Sequence, residues 1–212
     1  MQTLSEPIKS KGLLKAFGLM HEKKYDLAEK ALDEGLKEAV TARDLVLQGL
    51  HYSAYGVLYK LKKDFRKAWK YYEQAEKLIP EDPALKIISS RLLVEYFGQY
   101  DTVIRKMEKT AKMVGSDVLF LHQIFTTQGL AYLRSGNKKK AAECLKKAMG
   151  KGLDGLQSLA NVDLKLVGEM ATKKVDPKLC RVYLKAAAEM AKKTREGIHE
   201  KFIKRLLELF PK

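Results

Sequence analysis

Residues 52–80 read YSAYGVLYKLKKDFRKAWKYYEQAEKLIP, and the placing of their aromatic and small residues decides the fold. Tyr52, Tyr55 and Tyr59 recur at three- and four-residue intervals, so they share one helix face, with Gly56 beside them. Lys62, Lys63 and Asp64 interrupt that pattern. A second apolar stripe then runs through 65–78, with Ala68, Tyr72 and Ala75 on it. Gly56 and Ala68 are small, which lets the two helices approach closely, while Tyr55, Tyr59 and Tyr72 fill the angle toward their neighbours. Pro80 stops the second helix and pushes Ile79 away from helical geometry.

Working outward, the same helical period recurs over 25–37, 100–113 and 138–149. Short turn signals separate paired stripes at Glu22-Lys23-Lys24, Gly98-Gln99, Ser135-Gly136-Asn137 and Val175-Asp176-Pro177. Longer breaks stand between pairs at Pro80-Glu81-Asp82-Pro83, Gly115-Ser116-Asp117 and Gly150-Lys151-Gly152. Alternating runs long enough for a strand are missing. Helix, short turn, helix, longer break is the rhythm of stacked helical hairpins.

The order Tyr52-x2-Tyr55-Gly56-x2-Tyr59, Ala68-x3-Tyr72, Ala75, Pro80 resembles the tetratricopeptide repeat, with Tyr52 and Tyr72 standing for its Trp and Phe. A second copy reads Phe125-x2-Gln128-Gly129-x2-Tyr132 with Ala141-x3-Leu145 and Ala148, lacking the proline. Weaker copies are Leu164-x2-Val167-Gly168-x2-Ala171 with Cys180-x3-Leu184 and Ala187, and Ala16-x2-Leu19 with Ala28-x3-Leu32 and Gly35. Val94 with Val103-x3-Met107 and Thr110 is degenerate, since Arg91 stands where glycine is expected. The equivalent positions Ala28, Ala68, Val103, Ala141 and Cys180 are 40, 35, 38 and 39 residues apart. The family period is about 34, so the helices or loops here are slightly extended. The resemblance implies an all-α fold: a right-handed α-solenoid of about five hairpins over 9–40, 43–82, 84–117, 119–151 and 156–193. A C-terminal capping helix follows over 195–210, with Ile198, Phe202, Ile203, Leu206, Leu207 and Phe210 on its apolar face and 1–212 forming a single superhelical domain.

Composition suits this reading and narrows the function. The chain has 212 residues, 46% of them hydrophobic and 32% charged, with five prolines; that is enough apolar content for a core and too much for a disordered chain. No run approaches the roughly 18 apolar residues of a membrane span. Met1 to Lys15 lack the apolar core of a secretory signal, which leads us to expect a cytoplasmic protein. Cys144 and Cys180 have no partner motif and read as small core residues rather than as a disulfide or a zinc site. His21, His51, His122 and His199 lack metal spacing, and no HExxH, GxSxG or phosphate loop occurs. Gly56, Gly129 and Gly168 recur with the repeat, so packing accounts for them. Glu81-Asp82 falls in a turn and Asp33-Glu34 on a solvated face. We expect no enzyme activity, no cofactor and no metal.

Charge is strong and uneven. Lys and Arg number 41 against 26 Asp and Glu, a net of +15. Up to Lys106 the balance is 19 against 15, or +4; from Met107 onward it is 22 against 11, or +11. Such an excess favours an acidic partner.

In tetratricopeptide arrays the first helix of each hairpin lines a concave groove. Carried over by repeat position, the lining here is Leu13, Phe17 and Met20, then Leu50, Ser53, Val57 and Lys60, then Ile88, Leu92, Glu95 and Tyr96. Gln123, Thr126, Leu130 and Leu133 follow, and then Val162, Lys165, Glu169 and Thr172. Members that clamp chaperone tails present lysines and asparagines in this groove; Leu13 with Phe17, Ser53 with Val57 and Ile88 with Leu92 replace them. The expectation is an apolar groove for an amphipathic helix or extended peptide of a partner protein, with a basic end at Arg134, Lys165 and Lys173 for an acidic flank. The chain would then act as a monomeric adaptor, scaffold or chaperone. The competing readings are a nucleic-acid binder, disfavoured because lysines alternate with glutamates and no aromatic platform stands out, and a membrane-associated assembly factor using the basic C-terminal half.

Overall fold

A computed structural model describes residues 10–150, 152–194 and 200–210. Among the described residues the chain is all-α, with no strand. The helices sort into two compact units, 1–92 and 93–212.

The first unit holds α1 (Lys11–His21), α2 (Tyr25–Thr41), α3 (Leu45–Leu61), α4 (Phe65–Leu78) and α5 (Pro83–Leu92). Each helix packs on the next, and α1 also touches α3. Tight turns make this possible. At the end of α3, Lys63 takes a left-handed φ of 63°. Its N–H donates to the Lys60 carbonyl at 3.1 Å, and the Asp64 N–H donates to the Tyr59 carbonyl at 2.9 Å. These two bonds satisfy the last carbonyls of the helix. Asp64 is also the N-cap of α4, accepting from the Lys67 N–H at 3.1 Å. One residue therefore closes one helix and opens the next, which is why Lys62-Lys63-Asp64 suffices as a connection.

Contact between paired helices depends on missing side chains. A Cβ on Gly56 would come within 2.7 Å of Tyr72 Cζ, where the buried Tyr72 ring crosses α3. The Gly12 and Gly35 backbones also face one another between α1 and α2, where a Cβ on Gly12 would stand in ordinary contact, 3.4 Å from Gly35 Cα. A Cβ on Gly49 would meet Ile79 Cγ1 at 2.9 Å.

The second unit begins with a π-helical turn, Leu93–Phe97. It continues through α6 (Tyr100–Met113), α7 (Val118–Arg134) and α8 (Lys138–Met149). Two 3-10 turns follow, Asp154–Leu156 and Leu159–Asn161, then α9 (Lys165–Thr172), α10 (Pro177–Thr194) and α11 (Glu200–Glu208). Helix α7 packs on α6, α8 and α9, and α10 packs on α9 and α11.

The second helix of each pair repeats one buried row. Ala28, Leu32 and Gly35 on α2 correspond to Ala68, Tyr72 and Ala75 on α4, and to Val103, Met107 and Thr110 on α6. Ala141, Leu145 and Ala148 on α8 and Cys180, Leu184 and Ala187 on α10 complete the series. The five leading residues are each 0% exposed.

The expected hairpin over 156–193 differs in its first half. Only the eight residues of α9 are helical before the turn. Gly150 (φ 56°) and Gly152 (φ 150°) turn the chain, and side chains then compete with helical hydrogen bonds. Ser158 Oγ accepts from the Ala160 N–H, Asn161 Nδ2 donates to the Leu156 carbonyl at 2.8 Å, and Asp163 accepts from the Lys165 N–H at 2.8 Å. Leu153, Leu156, Leu159, Val162 and Leu164 are nonetheless buried, so the connection is packed as firmly as a helix. Of the expected cap over 195–210, residues 195–199 lie outside the described residues, and Ile198 with them. Ile203 and Leu206 of α11 are buried, Phe202 is exposed, and the Phe202 and Leu206 side chains come over Gly168 of α9.

Gly56→Ala is expected to destabilise the chain by about 1–3 kcal/mol through overpacking, although alanine is the better helix former by about 1 kcal/mol. Gly18→Ala, at an exposed site with nothing within 4 Å, is expected to stabilise by up to about 1 kcal/mol. Denaturant unfolding of both variants measures the difference.

Candidate functional site

Within the first unit, polar groups bind α2 to the α3–α4 pair. Tyr52, Tyr55 and Tyr59 of α3 stack on Tyr71 of α4, the closest rings being Tyr55 and Tyr71 at 4.8 Å. The Tyr55 hydroxyl donates to the Asp33 carboxylate, and the Tyr59 hydroxyl donates to Glu29 at 2.5 Å. Lys62 also reaches Glu29, at 3.0 Å, and both Lys62 and Lys67 lie over the Tyr59 ring. Burial, together with Asp33, holds the Tyr55 hydroxyl protonated far above its ordinary range. The bond to Glu29 does the same for Tyr59, helped by burial. These tyrosines are structural pins.

His51 of α3 is fully buried against the bare Gly35 backbone of α2, and among the described residues neither ring nitrogen has a hydrogen-bond partner. Burial holds its pKa below the ordinary value, and the Glu38 carboxylate offsets this in part. The ring is accommodated as a neutral group.

The second unit has a satisfied counterpart in His122. The Asp163 N–H donates to His122 Nε2 at 2.9 Å, so Nδ1 carries the proton and donates to the Ala148 carbonyl, also at 2.9 Å. Tyr183 of α10 donates to the Asp163 carbonyl at 3.0 Å. One ring on α7 thus ties together the end of α8, the loop before α9, and α10.

Of the lining expected in the first unit, Leu13, Met20 and Leu92 are buried core residues. Phe17 is 38% exposed, and Leu50, Val57 and Ile88 are half-buried. Leu50, Ser53, Val57 and Lys60 form one half-buried stripe along α3, and α3 touches α1, which carries Phe17.

In the second unit the expectation of an open apolar face on α7 does not hold: Thr126, Leu130 and Leu133 are all buried. Helix α9 and the turn at Asp154–Leu156 pack on α7, and Leu166 occupies the space beside Gly129. The Thr126 hydroxyl donates into its own helix, to the His122 carbonyl at 3.0 Å. Tyr96, in the π turn, is exposed.

The expected basic end is corrected as well. Arg134 grips Glu169 with two bonds, Nη2 to Oε1 at 2.5 Å and Nε to Oε2 at 3.2 Å, and its Nη1 donates to the Val94 carbonyl of the π turn at 3.0 Å. Lys165 pairs with Glu95 at 2.7 Å. Burial works to raise the Glu169 pKa, but the hydrogen bonds and charge of Arg134 outweigh it and hold the carboxyl below its usual value. Of the three expected cations, Arg134 and Lys165 are neutralised within the unit, and Lys173 stays exposed.

Cys144 and Cys180 are buried free thiols, and burial pushes them up to about 11 and about 12. Neither is a thiolate at neutral pH. Among the described residues no group of three His, Cys, Asp or Glu side chains is placed to hold a metal ion, and no helix is long and apolar enough to cross a membrane. The sequence matches no family model and no curated protein.

Two outcomes follow. The unfolded state binds more protons than the folded state at pH values between the depressed folded pKa of His51 and its ordinary value, so His51 contributes a loss of stability as pH falls through that window. The loss of unfolding free energy between about pH 7 and about pH 5 is expected to be smaller in His51→Leu than in the parent chain. Glu169→Gln leaves a half-buried Arg134 without its counter-charge and is expected to cost about 1–3 kcal/mol in denaturant unfolding above about pH 5. That difference shrinks as acid protonates Glu169 in the parent.

Proposed function

We propose that the chain is a non-catalytic binding module of the tetratricopeptide type, a solenoid of helical hairpins with a C-terminal cap. On this reading it holds a helix or extended segment of another protein on the first unit. The repeated buried row on the second helices supports the repeat reading. The proposed surface is narrower than the register alone implies: Phe17 on α1, with Leu50 and Val57 on α3 and Ile88 on α5. One observation carries it. Phe17 is a large aromatic side chain held partly open between the buried neighbours Leu13 and Met20, on a helix that touches the half-buried α3 stripe. An exposed apolar face on rigid helices suits a docked apolar side chain. Ser53 and Lys60 at its edges supply polar contacts.

A photo-crosslinking residue at position 17 or 57 tests this in cells, with position 27, on α2 and more open than either, as the control. The expected result is one protein adduct from positions 17 and 57, absent from position 27 and abolished at 17 by Val57→Glu with helicity unchanged. Equal adducts from all three positions contradict the reading, and adducts composed of nucleic acid replace it.

A further inference from the structure

We propose that the second unit carries a separate groove, between α8 and the turn joining α9 to α10, for an acidic protein segment that also bears apolar side chains. The proposal rests on the protein-binding reading above and places a second contact outside the first-helix surface.

The groove has a volume of about 670 Å³. Lys138, Lys139 and Lys146 line it from α8 and Lys174 from the turn, over a floor that includes Val175 and Leu179. Among the described residues none of these four lysines forms an ion pair. That sets them apart from Arg134 and Lys165, whose charges Glu169 and Glu95 cancel. Four of the 22 Lys and Arg residues of the C-terminal half therefore meet at this groove without a paired carboxylate.

The local design is unfavourable without a counter-ion. Lys138, Lys139 and Lys140 occupy the first turn of α8, which has no acidic residue and where the helix dipole repels cations. Two carboxylates lie in the groove. Asp176 is committed, accepting from the Leu179 N–H at 3.1 Å as the cap of α10. Glu143 is left among the lysines.

Three features select an acidic peptide over a phosphate backbone. The floor is apolar, with Ala142, Val175 and Leu179, and suits apolar side chains that a phosphate backbone lacks. Among the described residues no aromatic side chain lines the groove for a base to stack on, and no arginine offers a bidentate grip. Glu143 repels a closely spaced run of phosphates, whereas a peptide can place an apolar residue beside it. The length also fits. Lys138 and Lys146 are eight residues apart on one helix, about 12 Å at about 1.5 Å per residue. An extended peptide covers that in about four residues. Acidic side chains four apart with leucines between them would meet both ends.

Fluorescence anisotropy on the full chain, with labelled Glu-Glu-Leu-Ser-Leu-Glu-Glu as probe, tests the groove. The same peptide with serine for leucine and an oligothymidine of equal charge serve as comparisons. Lys139→Glu/Lys174→Glu is expected to weaken the leucine peptide by about tenfold or more, and Lys30→Glu/Lys37→Glu, an equal charge change on exposed positions of α2, by less than about twofold. The serine peptide is expected to bind more weakly than the leucine peptide. Absence of binding by the leucine peptide, equal losses in the two double variants, or tighter binding of the oligothymidine at near-physiological salt would each overturn the proposal. Crosslinks from position 17 that survive such a result leave the first surface standing, whereas their loss with peptide binding intact leaves only the groove.

Discussion

The spacing between paired helices is set where a side chain is missing and a ring fills its place. At Gly56 the bare backbone of α3 lies against the buried Tyr72 ring, in a gap that has no room for a methyl group. That spacing brings Tyr55 and Tyr59 within reach of the Asp33 and Glu29 carboxylates on α2, so one close contact inside a pair positions the polar bonds to the helix before it. A bare backbone also lies against a side chain between successive pairs, at Gly35 against His51 and at Gly129 against Leu166, and within a pair at Gly129 against Cys144. Interiors are packed too tightly for such a gap to be approximate.

The second helices were the most legible part of the chain. Ala28, Ala68, Val103, Ala141 and Cys180 stand at matching points of the apolar stripes, and each is fully buried. A helix has one stripe facing its partner, and a small residue in the middle of it can be read from period alone. The short turns were legible for a similar reason, since Asp64 and Asn137 mark caps by residue type. First helices were less so. Helix α7 is buried on nearly all sides, and register could not tell its groove positions from its core positions because it does not say what lies on top. The covering element is the 152–164 stretch and α9, where Gly152, Gly155, Ser158, Asn161 and Asp163 replace most of an expected helix. Their buried leucines carry no helical stripe long enough to read.

Charge was legible as a total and not as a map. The excess in the C-terminal half is plain from composition, yet the pairs that cancel part of it join residues far apart in sequence. Arg134 meets Glu169, 35 positions away, and Lys165 meets Glu95 in the π turn. Arg134 also takes the Val94 carbonyl of that turn, so it serves cohesion of the unit. Among the described residues, the cations left without an ion pair include the four lysines of α8 and the α9–α10 turn that line one groove. Much of the buried polar chemistry holds helices together within each unit, while a stripe near Phe17 stays partly open on the first unit and four lysines stay unpaired at one groove of the second. A binding module built this way would present two surfaces of different character.

The Gly56–Tyr72 contact is the determinant of helix spacing from which the neighbouring contacts follow. A double-mutant cycle of Gly56→Ala with Tyr72→Leu, read by denaturant unfolding, tests it most directly. If the ring and the bare backbone constrain one another, shortening the ring relieves the added methyl, and the double variant is more stable than the sum of the single losses by about 1 kcal/mol or more. Additivity within about 0.3–0.5 kcal/mol would mean that the two positions act independently, and the central claim would fail.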